Sequence, residues 1–184
     1  MGMGIGMRKT LAWFFFTGLF LFGCDGNTPL MQLAQDGDAA QVRAAVTGGA
    51  ALEERNKYGW TALMHAARAG RVEAARVLLD AGTKVDARDE SGSTSLIRAA
   101  TKGHLDMVNL LIERGANINA TDESSWTALF WAVHRGHVAV VKSLIARNAL
   151  INLRDIGGRS PMQVATMEGQ NDILQLLEAA GGKY

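Results

Sequence analysis

The chain has 184 residues, 48% of them hydrophobic and 20% charged, with only two prolines, which places it among ordered globular chains. Its formal net charge of +1 lacks the basic excess that a nucleic-acid-binding protein needs. A single cysteine, Cys24, excludes an internal disulfide framework and a multi-cysteine zinc site.

Residues 1–23 are the first predicted element, a signal peptide. Arg8 and Lys9 are its only charges; of the 19 Lys and Arg residues, 17 therefore remain against 18 Asp and Glu in the rest. The apolar run Leu11–Gly23 follows, and as a helix it would span only about 20 Å. That is short of the roughly 30 Å hydrocarbon core of a bilayer, but it is the length of a signal peptide's apolar region. The run ends in Leu21-Phe22-Gly23-Cys24, which resembles a bacterial lipobox. The resemblance implies that Cys24 is lipidated and becomes the mature N-terminus, with residues 24–27 as a short linker. Phe22 departs from the small residue usual before the last position of that motif. Asp25 resembles the signal by which lipoproteins of enteric type stay at the inner membrane. Two alternatives stay open: an uncleaved anchor in which Cys24 is incidental, and a start at Met7, directly before Arg8 and Lys9. N-myristoylation is not expected, because residue 6 is glycine where Ser or Thr is required.

From residue 28 onward the chain repeats. Thr28, Thr61, Thr94, Thr127 and Ser160 stand 33 residues apart and open the phrases TPLMQLAQDGD, TALMHAARAGR, TSLIRAATKGH, TALFWAVHRGH and SPMQVATMEGQ. A fixed period of this size marks stacked supersecondary units. Each hydroxyl residue sits where a helix N-cap belongs, and Pro29 and Pro161 take the first helical position, where a missing N–H costs nothing. Apolar or small residues recur two, five and six places after the cap, as Leu63, Ala66 and Ala67, then Leu96, Ala99 and Ala100. This is one buried helical stripe. Gly37, Gly70, Gly103, Gly136 and Gly169 suit the left-handed residue that ends this first helix. A second helix buries stripes such as Val72, Ala75, Leu78 and Leu79, or Leu105, Val108, Leu111 and Ile112, and stops at Gly49, Gly82, Gly115, Asn148 or Gly181. Between units the chain makes an extended finger closed by a turn, as at Asp89-Glu90-Ser91-Gly92. Ser125 breaks the glycine position of those tips. Gln32, Gln35, Asp36, Asp38 and Gln41 at one end, and Gln170, Asn171, Asp172 and Gln175 at the other, mark polar capping units.

These phrases resemble the ankyrin repeat, over almost everything after residue 27. The resemblance implies an all-α repeat solenoid spanning 28–184: five ankyrin-type helix-turn-helix repeats, starting at 28, 61, 94, 127 and 160, joined by short hairpin fingers. It also implies that the positions four, seven and eight after each cap line a concave, partner-binding face. In the middle units these are His65 and Arg68; Arg98, Thr101 and Lys102; and Trp131, His134 and Arg135. The end units place Gln32, Gln35 and Asp36, and Val164, Met167 and Glu168 there. Tyr58, Trp60 and Trp126 on the fingers complete the expected binding set, since aromatic and arginine side chains are the commonest interface anchors. The centre of this ladder is basic, so the expected partner is a protein with an acidic patch. Replacing Arg98, Lys102 and Arg135 is expected to weaken binding and spare the fold.

No catalytic or phosphate-cradling motif is present. His134 and His137 lie three apart, but no cysteine or carboxylate joins them at ligand spacing, and His104 and His137 hold a position that in the resembled family is structural. The expectation is a non-enzymatic binding module without cofactor, metal or small-molecule substrate. It would be exported and lipid-anchored on the periplasmic or external side of the cell envelope, holding an envelope enzyme or assembly. An immunity-type inhibitor of a periplasmic toxic effector and an anchored scaffold facing the cytoplasm are the alternatives.

Overall fold

Each hydroxyl residue of the 33-residue series caps a helix. In the computed structural model, which describes residues 25–184, the cap oxygen accepts from the amide three residues on in every unit. Thr28, Thr127 and Ser160 do so at 3.3 Å, and Thr61 and Thr94 at 3.4 Å. At Ser160 the exchange is reciprocal, its amide donating to the Gln163 side chain at 2.8 Å. The predicted signal peptide at 1–23 and the predicted lipidation site Cys24 lie outside the described residues.

Ten helices and no strands are found among the described residues. They form five pairs: α1 (Pro29–Asp36) with α2 (Ala39–Thr47), α3 (Ala62–Ala69) with α4 (Val72–Asp80), α5 (Ser95–Lys102) with α6 (Leu105–Glu113), α7 (Ala128–His134) with α8 (Val138–Ala146), and α9 (Pro161–Met167) with α10 (Asn171–Ala179). The odd-numbered helices pack in sequence against one another and the even-numbered ones do likewise, giving an inner and an outer layer. One continuous core lies between the layers. Leu63, Ala66, Ala67, Leu96, Ala99, Ala100, Leu129 and Ala132 are buried in it, with Leu78, Leu111, Leu144 and Phe130. The alanines let short inner helices approach closely, and the Leu and Phe side chains fill the space between layers. At the two ends burial thins out: α2 buries only Val42, and α10 only Ile173 and Leu177. These are the polar capping units.

Successive units are stitched at one further position, immediately after the inner-helix glycine. Arg71 Nε reaches Gln35 O at 3.1 Å, His104 Nε2 meets Arg68 O at 3.1 Å, His137 Nε2 meets Thr101 O at 3.1 Å, and Gln170 Nε2 reaches His134 O at 3.4 Å. Each contact satisfies a carbonyl at the open end of the preceding inner helix. The imidazoles of His104 and His137 lie where a side chain on Gly70 or Gly103 would have to go: a Cβ there would come within 2.9 or 2.7 Å of the ring. Those glycines are therefore held by the close approach as well as by φ values of +69° and +75°.

The fingers close in turns and lean on one another through backbone bonds rather than a sheet. Glu90 N donates to Tyr58 O at 3.1 Å, Glu123 N to Ser91 O at 3.1 Å, and Ile156 N to Ser124 O at 3.2 Å. Their tips need a left-handed residue, supplied by Gly59, Gly92 and Gly158 at φ +74°, +73° and +76°. Ser125 takes the same conformation at φ +61°, as does Asn148 at a second-helix end. A serine with its Cβ pays about 1–2 kcal/mol in that region, whereas asparagine is among the residues that tolerate it. Ser125→Gly is expected to raise the unfolding free energy by about 0.5–1 kcal/mol, the relieved strain less the extra unfolded-state entropy of glycine. A urea or thermal midpoint that falls would contradict this reading of the third finger.

Candidate functional site

The site is built on the finger turns. Asn56, Asp89, Asp122 and Asp155 each lie five residues before a helix cap. One side-chain oxygen of each accepts two backbone amides, from the residues two and four places on, at 2.8–3.0 Å. The turn is thus closed around a side chain, and Asn56, Asp89 and Asp155 are buried by it. The remaining side-chain atom points at the inner helix, where the residue nine places on meets it. Asn56 Nδ2 lies 3.4 Å from His65 Nε2, Arg98 Nε donates to Asp89 Oδ2 at 3.0 Å with Nη2 on the same oxygen, and Trp131 Nε1 donates to Asp122 Oδ2 at 2.8 Å. In the last unit that position is the apolar, buried Val164. Asp155 instead receives Trp126 Nε1 at 3.1 Å and Arg159 Nε at 2.8 Å. Burial pushes the Asp155 carboxyl upward, but the hydrogen bonds from the Arg159 backbone and guanidinium and the Trp126 indole hold it below the ordinary carboxylate range.

This fastening divides the ten residues expected to bind. His65, Arg98, Trp126 and Trp131 are parts of the frame. The His65 ring is buried at 5% exposure, between Gln35 Oε1 at 3.0 Å and Asn56, so it is not a free contact of the concave face. Arg98 neutralises a carboxylate with no solvent exposure of its own; the expectation that its removal spares the fold is corrected, because a buried carboxylate would lose its cation. Trp126 stacks on Phe130 at 5.4 Å between ring centroids and meets Trp131 edge-on at 4.8 Å, and both indoles pack against the core. His134 pairs with Glu168 at 3.0 Å between Nδ1 and Oε1 and packs against the same two rings.

The other five are available. Tyr58 is exposed on its finger, and Lys57 beside it pairs with Asp25 at 3.0 Å. Trp60 is half-buried; it stands outside the core cluster, and its indole N–H makes no hydrogen bond among the described residues. Two guanidiniums flank its ring, Arg98 at 4.5 Å and Arg68 at 5.4 Å from the centroid. Arg68, Lys102 and Arg135 are exposed and form no ion pair among the described residues; Arg135 lies over Trp131 at 5.9 Å. Tyr58, Trp60, His65, Arg68 and Arg98 converge on a cavity of about 710 Å³, whose wall also includes Asp25, Asn27, Gln35 and Glu90. A smaller hollow of about 340 Å³ continues from Arg68 to Lys102. Trp126 and Trp131 border a separate hollow of about 150 Å³. Among the described residues no group of three or more His, Cys, Asp or Glu side chains is arranged to hold a metal. No helix among them is long and apolar enough to cross a membrane.

A family model for ankyrin repeats, three copies, matches residues 15–89 and 96–183. The chain belongs to the ankyrin-repeat family. No curated protein matches it. Ankyrin repeats form protein–protein interaction modules, and the partly aromatic, cationic groove along the inner helices of this one has the composition of an interface anchor.

In the sequence the fastening Asn and Asp residues are marked as turn formers; their nine-residue spacing from the concave-face position, present four times, is the one signal of the contact. Asp25, Asn27 and Glu90 belong to the cavity through the packing of fingers, a placement that no local sequence signal marks.

Two outcomes follow from this division. Arg98→Ala is expected to cost about 2–4 kcal/mol of stability, near the range for breaking a largely buried ion pair, and Arg68→Ala less than about 0.5 kcal/mol. Equal losses in urea unfolding would contradict the division. His65 supplies a pH signature: burial, then the neighbouring Arg68 charge, lower its pKa from 6.5 to about 4, with Asp25 acting weakly the other way. The unfolded chain takes up this proton near pH 6.5 and the folded chain only near pH 4. Stability is therefore full above about pH 6.5 and declines by up to about 3 kcal/mol as pH falls toward 4. His65→Gln is expected to flatten that decline in unfolding free energy against pH; an unchanged slope would contradict the assignment.

Proposed function

We propose that this ankyrin-repeat chain is an exported module, tethered to a membrane of the cell envelope through lipidated Cys24, that binds an acidic protein partner on its concave face. The observation that carries the reading is the set of cations without an ion pair among the described residues, Arg68 at the Trp60 cavity, Lys102 in the hollow next to it and Arg135 over Trp131. Other basic side chains nearby are already spent on buried carboxylates, as at Arg98 and Arg159. A partner carboxylate meeting this row would be desolvated against aromatic surface, where a charge-assisted hydrogen bond is stronger than in water. The preformed frame limits the ordering cost of binding. Export rests on the signal-like residues 1–23 and the lipobox-like ending at Cys24. With Asp25 held by Lys57 at 3.0 Å, a lipid on Cys24 would keep the fingers of the first two units near the membrane surface. An envelope enzyme or assembly is the partner class that such a tether would serve.

The test joins the two halves of the reading. The mature protein from membranes is expected to begin at an acylated Cys24 by mass spectrometry, and Cys24→Ala to leave it unprocessed and without acyl groups. A mature protein starting at an unmodified Met1 or Met7 would overturn the tether. Affinity capture from solubilised membranes with the wild type should enrich a partner that Arg68→Glu combined with Lys102→Glu loses at least tenfold, with helix content unchanged by circular dichroism. Retained capture would overturn the concave-face reading.

A further inference from the structure

Resting on the proposed concave-face reading, we infer that the partner element seated there is an extended peptide segment with acidic residues at every third position, three in a row. The inner helices that carry the row, α3, α5 and α7, are in direct sequential contact; Lys102 and Arg135 stand eight residues after their caps and Arg68, one place earlier, seven after its own. Helices so packed lie about 8–10 Å apart, and an extended chain advances about 3.3 Å per residue. One repeat step therefore equals about three residues of an extended peptide. In a helical partner the carboxylates that match this step would stand about seven residues apart, about 10.5 Å along the axis, so acids three apart in sequence fit the row only when the chain is extended.

The ends of the face fix how many steps are used. Asp36 and Glu168 occupy, in the first and last units, the position that Lys102 and Arg135 occupy in the middle. Both are exposed; Asp36 accepts from Gln32 at 3.0 Å, and Glu168 pairs with His134. They repel a fourth or fifth carboxylate placed in register. The face is thus cationic over the three central units and acidic beyond them, a pattern that selects a short acidic stretch and sets its register. A nucleic acid strand, with charge on every nucleotide, would meet those terminal carboxylates wherever it ran along the face.

The test uses the full chain in detergent and fluorescein-labelled decapeptides, acetylated and amidated, in a Gly/Ser/Ala background. One carries glutamate at positions 2, 5 and 8, one carries three consecutive glutamates, and a longer one carries five glutamates at every third position. Fluorescence anisotropy at low salt is expected to show the spaced peptide binding at least fivefold more tightly than the clustered one, and the five-acid peptide binding no more tightly than the three-acid one. Lys102→Glu should abolish binding, and lysine at peptide position 5 should restore it. Equal affinity for spaced and clustered peptides, undetectable binding of the spaced peptide, or an equally tight single-stranded oligonucleotide would overturn the inference. If the spaced peptide fails while membrane capture still depends on Arg68 and Lys102, the extended-segment inference falls and the concave-face reading stands.

Discussion

The hydrogen-bonded turn around Asn56, Asp89, Asp122 and Asp155 is the constraint on which the rest of the structure depends. One oxygen of each side chain takes two backbone amides, so the finger needs no sheet to hold its shape. A buried carboxylate with two neutral donors still requires a charged or polar partner for its second oxygen. That requirement ties three fingers to the inner helices of their own units, through His65, Arg98 and Trp131, while the last finger is held by its own Arg159 and by Trp126 of the neighbouring finger. The angle between finger and helix follows, and the groove is the space this angle leaves.

The same requirement decides which side chains remain for binding. Arg98 stacks on Trp60 and neutralises Asp89 at once, so it shapes the cavity wall from a fixed position. Trp126 and Trp131 spend their indole donors on Asp155 and Asp122 and their faces on Phe130 and each other. Trp60, at the same repeat position as Trp126, has no such neighbour: its unit carries His65 where the fourth unit carries Trp131. Two indoles of identical phase thereby have different roles, one in the frame and one on the groove. The cations one or two turns further along the inner helices, Arg68, Lys102 and Arg135, lie beyond reach of the finger carboxylates and stay unpaired.

Much of the fold was legible in the sequence because its signals are local and recur. The hydroxyl caps, the inner-helix glycines and the apolar stripes all act within one helix or its end, and each appears five times. Asn148 could be recognised as a left-handed residue for the same reason. The role of the concave-face position four residues after each cap was not legible from helix phase alone. Phase puts it opposite the buried stripe, but a finger folded from the preceding residues lies over it. Only the pairing at a spacing of nine, Asn56 with His65, Asp89 with Arg98 and Asp122 with Trp131, signals the contact, and it joins two elements whose relative placement the sequence does not state. The cavity beside Trp60 was less accessible still, since Asp25, Gln35, Glu90 and Arg98 reach it from three units.

The central claim is that a rigid frame leaves one row of free cations on the inner face as the binding surface. Amide hydrogen exchange of the full chain, alone and with its captured partner, tests it most directly. Protection is expected at the C-terminal ends of α3, α5 and α7 and at the finger carrying Tyr58 and Trp60, with α4, α6 and α8 unchanged. Protection confined to those outer helices, with the inner face exchanging as in the free protein, would contradict the account.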